Sequence, residues 1–264
     1  MGDAGERGRG GWVHWELLPL LPLGILAGLL SGLLGIGGGL IFSPLLLWMG
    51  LTPHQALATS TLAIVPTTMG GSWAHLRSGL VPRAAVAAIG GGAVAGALLF
   101  SRAGNGLQGW QLLALQALMY GLLALAIRSP SQDDSDSARP LPKRGLAAVG
   151  LVAGWSSGLL GVGGGLVMVP LMVQGLGIRV YQAIRLSTLA VCASATTASI
   201  TFWTDGRADP GVGLLLGCTA ALAAQWSARR LQTVGEGRLV WLLRLLCWLL
   251  ALDAGRRAIQ LLVG

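Results

Sequence analysis

The feature that most constrains this chain is a passage it carries twice. Residues 24–47 read GILAGLLSGLLGIGGGLIFSPLLL, and residues 150–173 read GLVAGWSSGLLGVGGGLVMVPLMV. Ser31-Gly32-Leu33-Leu34-Gly35-Ile36-Gly37-Gly38-Gly39 recurs as Ser157-Gly158-Leu159-Leu160-Gly161-Val162-Gly163-Gly164-Gly165, and Pro44 recurs as Pro170, at a constant offset of 126. The match runs on at an offset of 127. Gln55-Ala56 meets Gln182-Ala183, Ser60-Thr61-Leu62 meets Ser187-Thr188-Leu189, and Gly90 meets Gly217.

The repeats are apolar. Only 11% of the 264 residues are charged and 53% are hydrophobic, against about 25% charged in a soluble domain. Several stretches approach the roughly 20 residues that cross a bilayer. The sequence therefore predicts an all-α integral membrane protein. It divides into an N-terminal segment 1–16 expected to be disordered, repeat one at 17–127, a polar linker at 128–145 and repeat two at 146–264. No removable signal peptide is expected. Each repeat should hold a short, glycine-broken helix pair (17–35 and 38–49; 146–161 and 164–176) and three transmembrane helices (54–76, 82–101, 107–127; 180–203, 210–228, 237–262). That gives eight to ten membrane segments. If both short pieces cross, five per repeat is odd and the second repeat inserts upside down. If they re-enter, the count changes. Ten basic residues against six favour the linker on the cytoplasmic side.

The net charge of +8 does not point to nucleic acid, because the basic residues are scattered at segment ends. Cys192, Cys218 and Cys247 match no metal or redox spacing and read as small buried residues. No catalytic triad, carboxylate pair, zinc spacing or phosphate loop appears. No enzyme activity, cofactor or metal is expected.

A glycine-interrupted apolar segment in corresponding positions of two halves points to the substrate site of a secondary transporter. Each glycine costs up to about 1 kcal/mol in a helix, and irregular backbone at membrane depth needs protein or a cavity around it. Helix breaks at Gly35 and Pro44, and at Gly161 and Pro170, would leave N–H groups of Gly37, Gly38, Gly39, Gly163, Gly164 and Gly165 available to a small anion. Gly24, Gly28, Gly32, Gly92 and Gly96 read instead as close helix packing. Hydroxyls follow each break: Thr59, Ser60, Ser187 and Thr188 are candidate donors to the anion, with back-bonding to the helix the plainer alternative. Arg185 stands where repeat one has Ala58, and an intramembrane arginine is a candidate ligand unless it snorkels to the interface. His54 and His75 are expected at the interface, and Asp205, Asp209, Glu236 and Asp253 near segment ends.

The repeated G-x-x-S-G-L-L-G-[IV]-G-G-G…P pattern, followed by Ala56-Leu57-Ala58-Thr59-Ser60-Thr61-Leu62-Ala63, resembles the TauE/SafE sulfite exporter family, also called the 4-toluene sulfonate uptake permeases. The resemblance covers roughly residues 20–262. It implies two helical modules with a substrate site between them and a sulfur-containing anion as cargo. Arg185-Leu186-Ser187 departs from the small residue and threonine that often precede the second serine. The expected function is alternating-access movement of sulfite, a sulfonate or another organosulfur anion across the cell (inner or plasma) membrane. The expected partners are that anion and the lipid bilayer, with a homodimer left open. A transporter of another solute, or a membrane accessory protein that moves nothing, are the alternatives.

Overall fold

The computed structural model describes residues 20–127 and 142–263, all helix and connecting turns. Repeat one comprises α1 (Leu20–Leu34), α2 (Gly39–Trp48), α3 (Pro53–Arg77), α4 (Arg83–Phe100) and α5 (Gly109–Ala126). Repeat two comprises α6 (Lys143–Leu160), α7 (Gly165–Pro170, continued by a π-helical turn Leu171–Gly175), α8 (Val180–Thr204), α9 (Pro210–Arg229) and α10 (Glu236–Val263). Ten α-helices are therefore observed among the described residues, with boundaries within a few residues of the expected segments. Helix α6 starts at Lys143, inside the stretch read as linker, directly after the extended Pro142. The rest of that linker and segment 1–16 lie outside the described residues.

Helices α4, α5, α8 and α9 are each long and apolar enough to cross a membrane. Their outward faces carry exposed Leu98, Leu99, Leu122, Leu125, Ile200 and Leu222. That inverts the soluble pattern and suits hydrocarbon as solvent.

Helix α1 packs chiefly on α9, and α6 on α4, so the first helix of each repeat lies against the fourth of the other. Gly24, Gly28 and Gly32 meet Leu216, Ala220 and Ala224 in turn, while Gly150, Gly154 and Gly158 meet Ile89, Ala93 and Ala97. Both pairs therefore run parallel. A Cβ at Gly24 would press on the Thr219 side chain, and at the other glycines it would enter the neighbouring backbone, so the packing role read for Gly24, Gly28, Gly32, Gly92 and Gly96 is observed. Helix α3 also runs parallel to α9: Gly213, Gly217 and Gly70 meet Thr59, Ala63 and Ala221.

Helices α3 and α8 run antiparallel. Ala58 clusters with Ala198 and Phe202, Ile64 and Val191 close on the same glycine, and Ser72 reaches Thr188. Ile64 and Val191 are repeat mates at the 127-residue offset. From Gly39, level with Ile64, α2 runs back to Trp48, a few residues before α3 begins, so it is antiparallel to α3. The short piece, ten residues long, is a return toward the start of α3.

One sequence expectation is refined and one fails. His75 stands in the last turn of α3 but is buried, at 2% exposure. Asp253 lies ten residues inside α10, not at a segment end; Arg256 and Arg257 pair with it at 3.3 and 2.9 Å and neutralise it there. The cysteines are mixed: Cys247 is buried, Cys192 half-buried and Cys218 exposed.

Candidate functional site: the paired glycine breaks

Both breaks have the same backbone. Gly35, Gly37 and Gly38 have φ of 69°, 79° and 81°, and their mates Gly161, Gly163 and Gly164 have 63°, 86° and 70°. In this left-handed region a side chain costs about 1–2 kcal/mol, so glycine is required. Gly38 and Gly164 are the residues from which α2 and α7 start. Pro44 and Pro170 lie within the helices that follow.

The two breaks meet back to back. A Cβ on Gly165 would strike the Gly35 carbonyl and lie 2.8 Å from the Ile36 Cα, and one on Gly39 would lie 2.7 Å from the Val162 carbonyl oxygen. Ile64 and Val191 close over Gly37 and Gly163 together. All residues of both breaks are buried.

Hydroxyls tie each break to the opposite repeat. Ser187 Oγ donates to the Gly35 carbonyl at 2.6 Å, and Ser60 Oγ donates to the Gly161 carbonyl at 2.9 Å. Ser60 also lies 3.1 Å from the Leu57 carbonyl. Ile41 and Phe42 donate to the Gly38 carbonyl, and Val167 and Met168 to that of Gly164. Among the described residues, the N–H groups of Gly37, Gly38, Gly39, Gly163, Gly164 and Gly165 donate to no backbone carbonyl. These donors stand at the start of short helices, where partial positive charge gathers.

The remaining candidates are spread out. Thr59 Oγ1 of α3 accepts the Asp209 N–H at 2.9 Å and so anchors the α8–α9 turn. Thr188 Oγ1 donates back to Ile184 at 2.9 Å, the plainer alternative. Arg185 is half-buried on the second turn of α8, toward the end of the α3–α8 contact where α3 finishes; its chain neighbour Ile184 lies against Gly35. The structure thus brings Gly35–Gly39, Gly161–Gly165, Ser60 and Ser187 together, and gives the hydroxyls of Thr59 and Thr188 other partners. Sequence reading missed Ile64 and Val191, which sit at the centre. Extending the repeat alignment by four residues past Ser60 and Ser187 would have found them.

No metal-holding group of three or more His, Cys, Asp or Glu occurs among the described residues.

An all-helical chain with apolar spans and two glycine breaks held together at its centre defines a multi-pass membrane protein of the transporter class. The family model for Sulfite exporter TauE/SafE matches residues 20–254, and the chain belongs to that family of membrane transporters. A probable membrane transporter protein of Xylella fastidiosa (strain 9a5c) is 34% identical over 185 residues, covering 67% of this chain and 70% of the relative. The probable membrane transporter protein YunE of Bacillus subtilis (strain 168) is 27% identical over 221 residues, covering 72% and 79%. Sulfite exporter TauE/SafE family protein 1 of Arabidopsis thaliana is 45% identical over 60 residues, covering 23% and 13%. No solved structure matches.

Proposed function

We propose that this transporter moves a small sulfur-containing anion, such as sulfite or a sulfonate, by alternating access in the cell membrane. The glycine breaks and their serines are the substrate site. The observation that carries this reading is the crossed pair Ser187–Gly35 and Ser60–Gly161, which joins two sets of unpaired glycine N–H groups at the centre of the protein. Backbone donors suit an oxyanion because they supply positive potential without the desolvation cost of a full charge. The names of the family and of the Arabidopsis relative mention sulfite, which agrees with this cargo.

The repeats are inverted in this reading. Antiparallel α3 and α8 are repeat mates, which supports a pseudo-twofold axis lying in the membrane plane. Parallel α1–α9 and α4–α6 pairs agree with it. The two buried breaks press against one another, so the site opens when the repeats rock apart. Each serine then releases a carbonyl, and its hydroxyl becomes free to donate to the anion.

Thermal stabilisation of the detergent-purified protein against sulfite, thiosulfate, sulfate, sulfoacetate, taurine, acetate and phosphate tests the cargo. A shift for a sulfur oxyanion is expected. A shift for acetate or phosphate alone would replace the cargo, and none for any would favour breaks that serve only packing.

A further inference from the structure

The two mouths of the α3–α8 contact differ in chemistry. Repeat mates at the 127-residue offset pair Ala58 with Arg185 and His75 with Phe202. At one end, Ala58 and Phe202 form an apolar cluster with Ala97 and Ala198. The nearby Arg207 stacks over Phe202 at 4.5 Å and is paired with Asp205 at 2.8 Å, so its charge is spent.

The other end carries the polar mates. Ser72 Oγ reaches the Thr188 carbonyl at 3.5 Å, and Gly71 lets Thr188 approach. One turn further along each helix, the antiparallel register puts His75 and Arg185 on the same side of the contact. His75 is 2% exposed, and its Nε2 has no hydrogen-bond partner. Arg185 forms no ion pair among the described residues. A buried imidazole nitrogen without a partner, beside an arginine without an acid, is costly unless something else completes the pair.

The geometry points to an oxyanion-recruitment site at this mouth alone, built from Arg185 and His75. It rests on the anion-transport reading above and adds sidedness to it. The guanidinium fork binds two oxygens of a trigonal or tetrahedral oxyanion. His75 Nε2–H donates to a third oxygen. A sulfite or sulfonate head has three oxygens and satisfies both. The opposite mouth offers no equivalent, so apparent affinity differs between the two directions of transport.

The test uses the full chain in proteoliposomes, with radiolabelled sulfite. Arg185→Ala and His75→Phe each install the residue that the repeat mate carries, which the fold already accommodates at the other end. Each is expected to raise KM about tenfold for sulfite presented on the side where α3 ends. The maximal rate from that side stays within twofold, and Vmax/KM in the reverse direction falls by the same factor as Vmax/KM from that side, because a substitution cannot shift the transport equilibrium. Arg185→Lys, which keeps charge but loses the fork, recovers part of the affinity. A purely structural role would lower the amount of folded protein or the maximal rate and leave KM alone. An unchanged KM in both variants, with wild-type transport intact, overturns the recruitment site only. A wild-type protein that moves no anion of the panel overturns the transport reading, and this site with it.

Discussion

Ser187 of repeat two donates its hydroxyl to the Gly35 carbonyl of repeat one at 2.6 Å, and the repeat returns the bond through Ser60 and Gly161 at 2.9 Å. Each serine thus satisfies a carbonyl that a glycine break would leave unpaired at membrane depth. The motif and the serine are one device, split across two repeats.

Removing a serine strands a buried carbonyl, which costs about 1–3 kcal/mol. Ser187→Ala and Ser60→Ala should each destabilise the protein by that amount. Chemical denaturation in detergent measures it. A change below a few tenths of a kcal/mol in both would mean the carbonyls find water.

The positive-φ glycines should not be equally sensitive. Ala at any of them meets about 1–2 kcal/mol of backbone strain. At Gly50, with φ 88°, nothing lies within 4 Å, so strain is the whole cost. At Gly38 the new Cβ meets the Phe42 ring at 2.8 Å, and the ring can turn. At Gly164 it meets the Ala153 carbonyl, which is backbone and cannot. The expected order of destabilisation is Gly164→Ala, then Gly38→Ala, then Gly50→Ala, read as thermal midpoints.

Three consecutive glycines in α4 separate packing from composition. Gly90 and Gly91 have nothing within 4 Å of an added Cβ, whereas Gly92 would meet the Ala147 carbonyl of α6. Gly90→Ala and Gly91→Ala should be neutral or stabilising by up to about 1 kcal/mol, from helix propensity. Gly92→Ala should destabilise by about 2 kcal/mol, as a clash with close-packed backbone does. The same denaturation series checks all three.

Thr59 gives the opposite kind of prediction. Its hydroxyl accepts the Asp209 N–H, while the Asp209 carboxylate caps α9 through Gly211 and Val212. Thr59→Val keeps the shape and removes the acceptor. It should cost about 1 kcal/mol of stability and leave anion affinity unchanged in ligand-stabilisation curves.

The helical plan was legible because a duplicated sequence states its own period. The αL positions at Gly35, Gly38, Gly161 and Gly164 were legible because only glycine sits there without strain. What a hydroxyl touches was not. Thr59 and Ser60 are neighbours in sequence, yet a helix sends them about 100° apart, one to Asp209 and the other to Gly161. The burial of His75 was not legible, because it comes from packing; its position, in the last turn of α3, was. Ile64 and Val191 carry no distinctive chemistry, and only the meeting of the repeats makes them central.

The most direct test of the account is counterflow of radiolabelled sulfite in proteoliposomes of the wild-type chain, loaded with unlabelled sulfite. The account predicts transient accumulation of label above its outside concentration, abolished by Gly164→Ala in protein that remains folded. No accumulation for sulfite or for any other sulfur oxyanion, in protein shown to be folded and inserted, would contradict it.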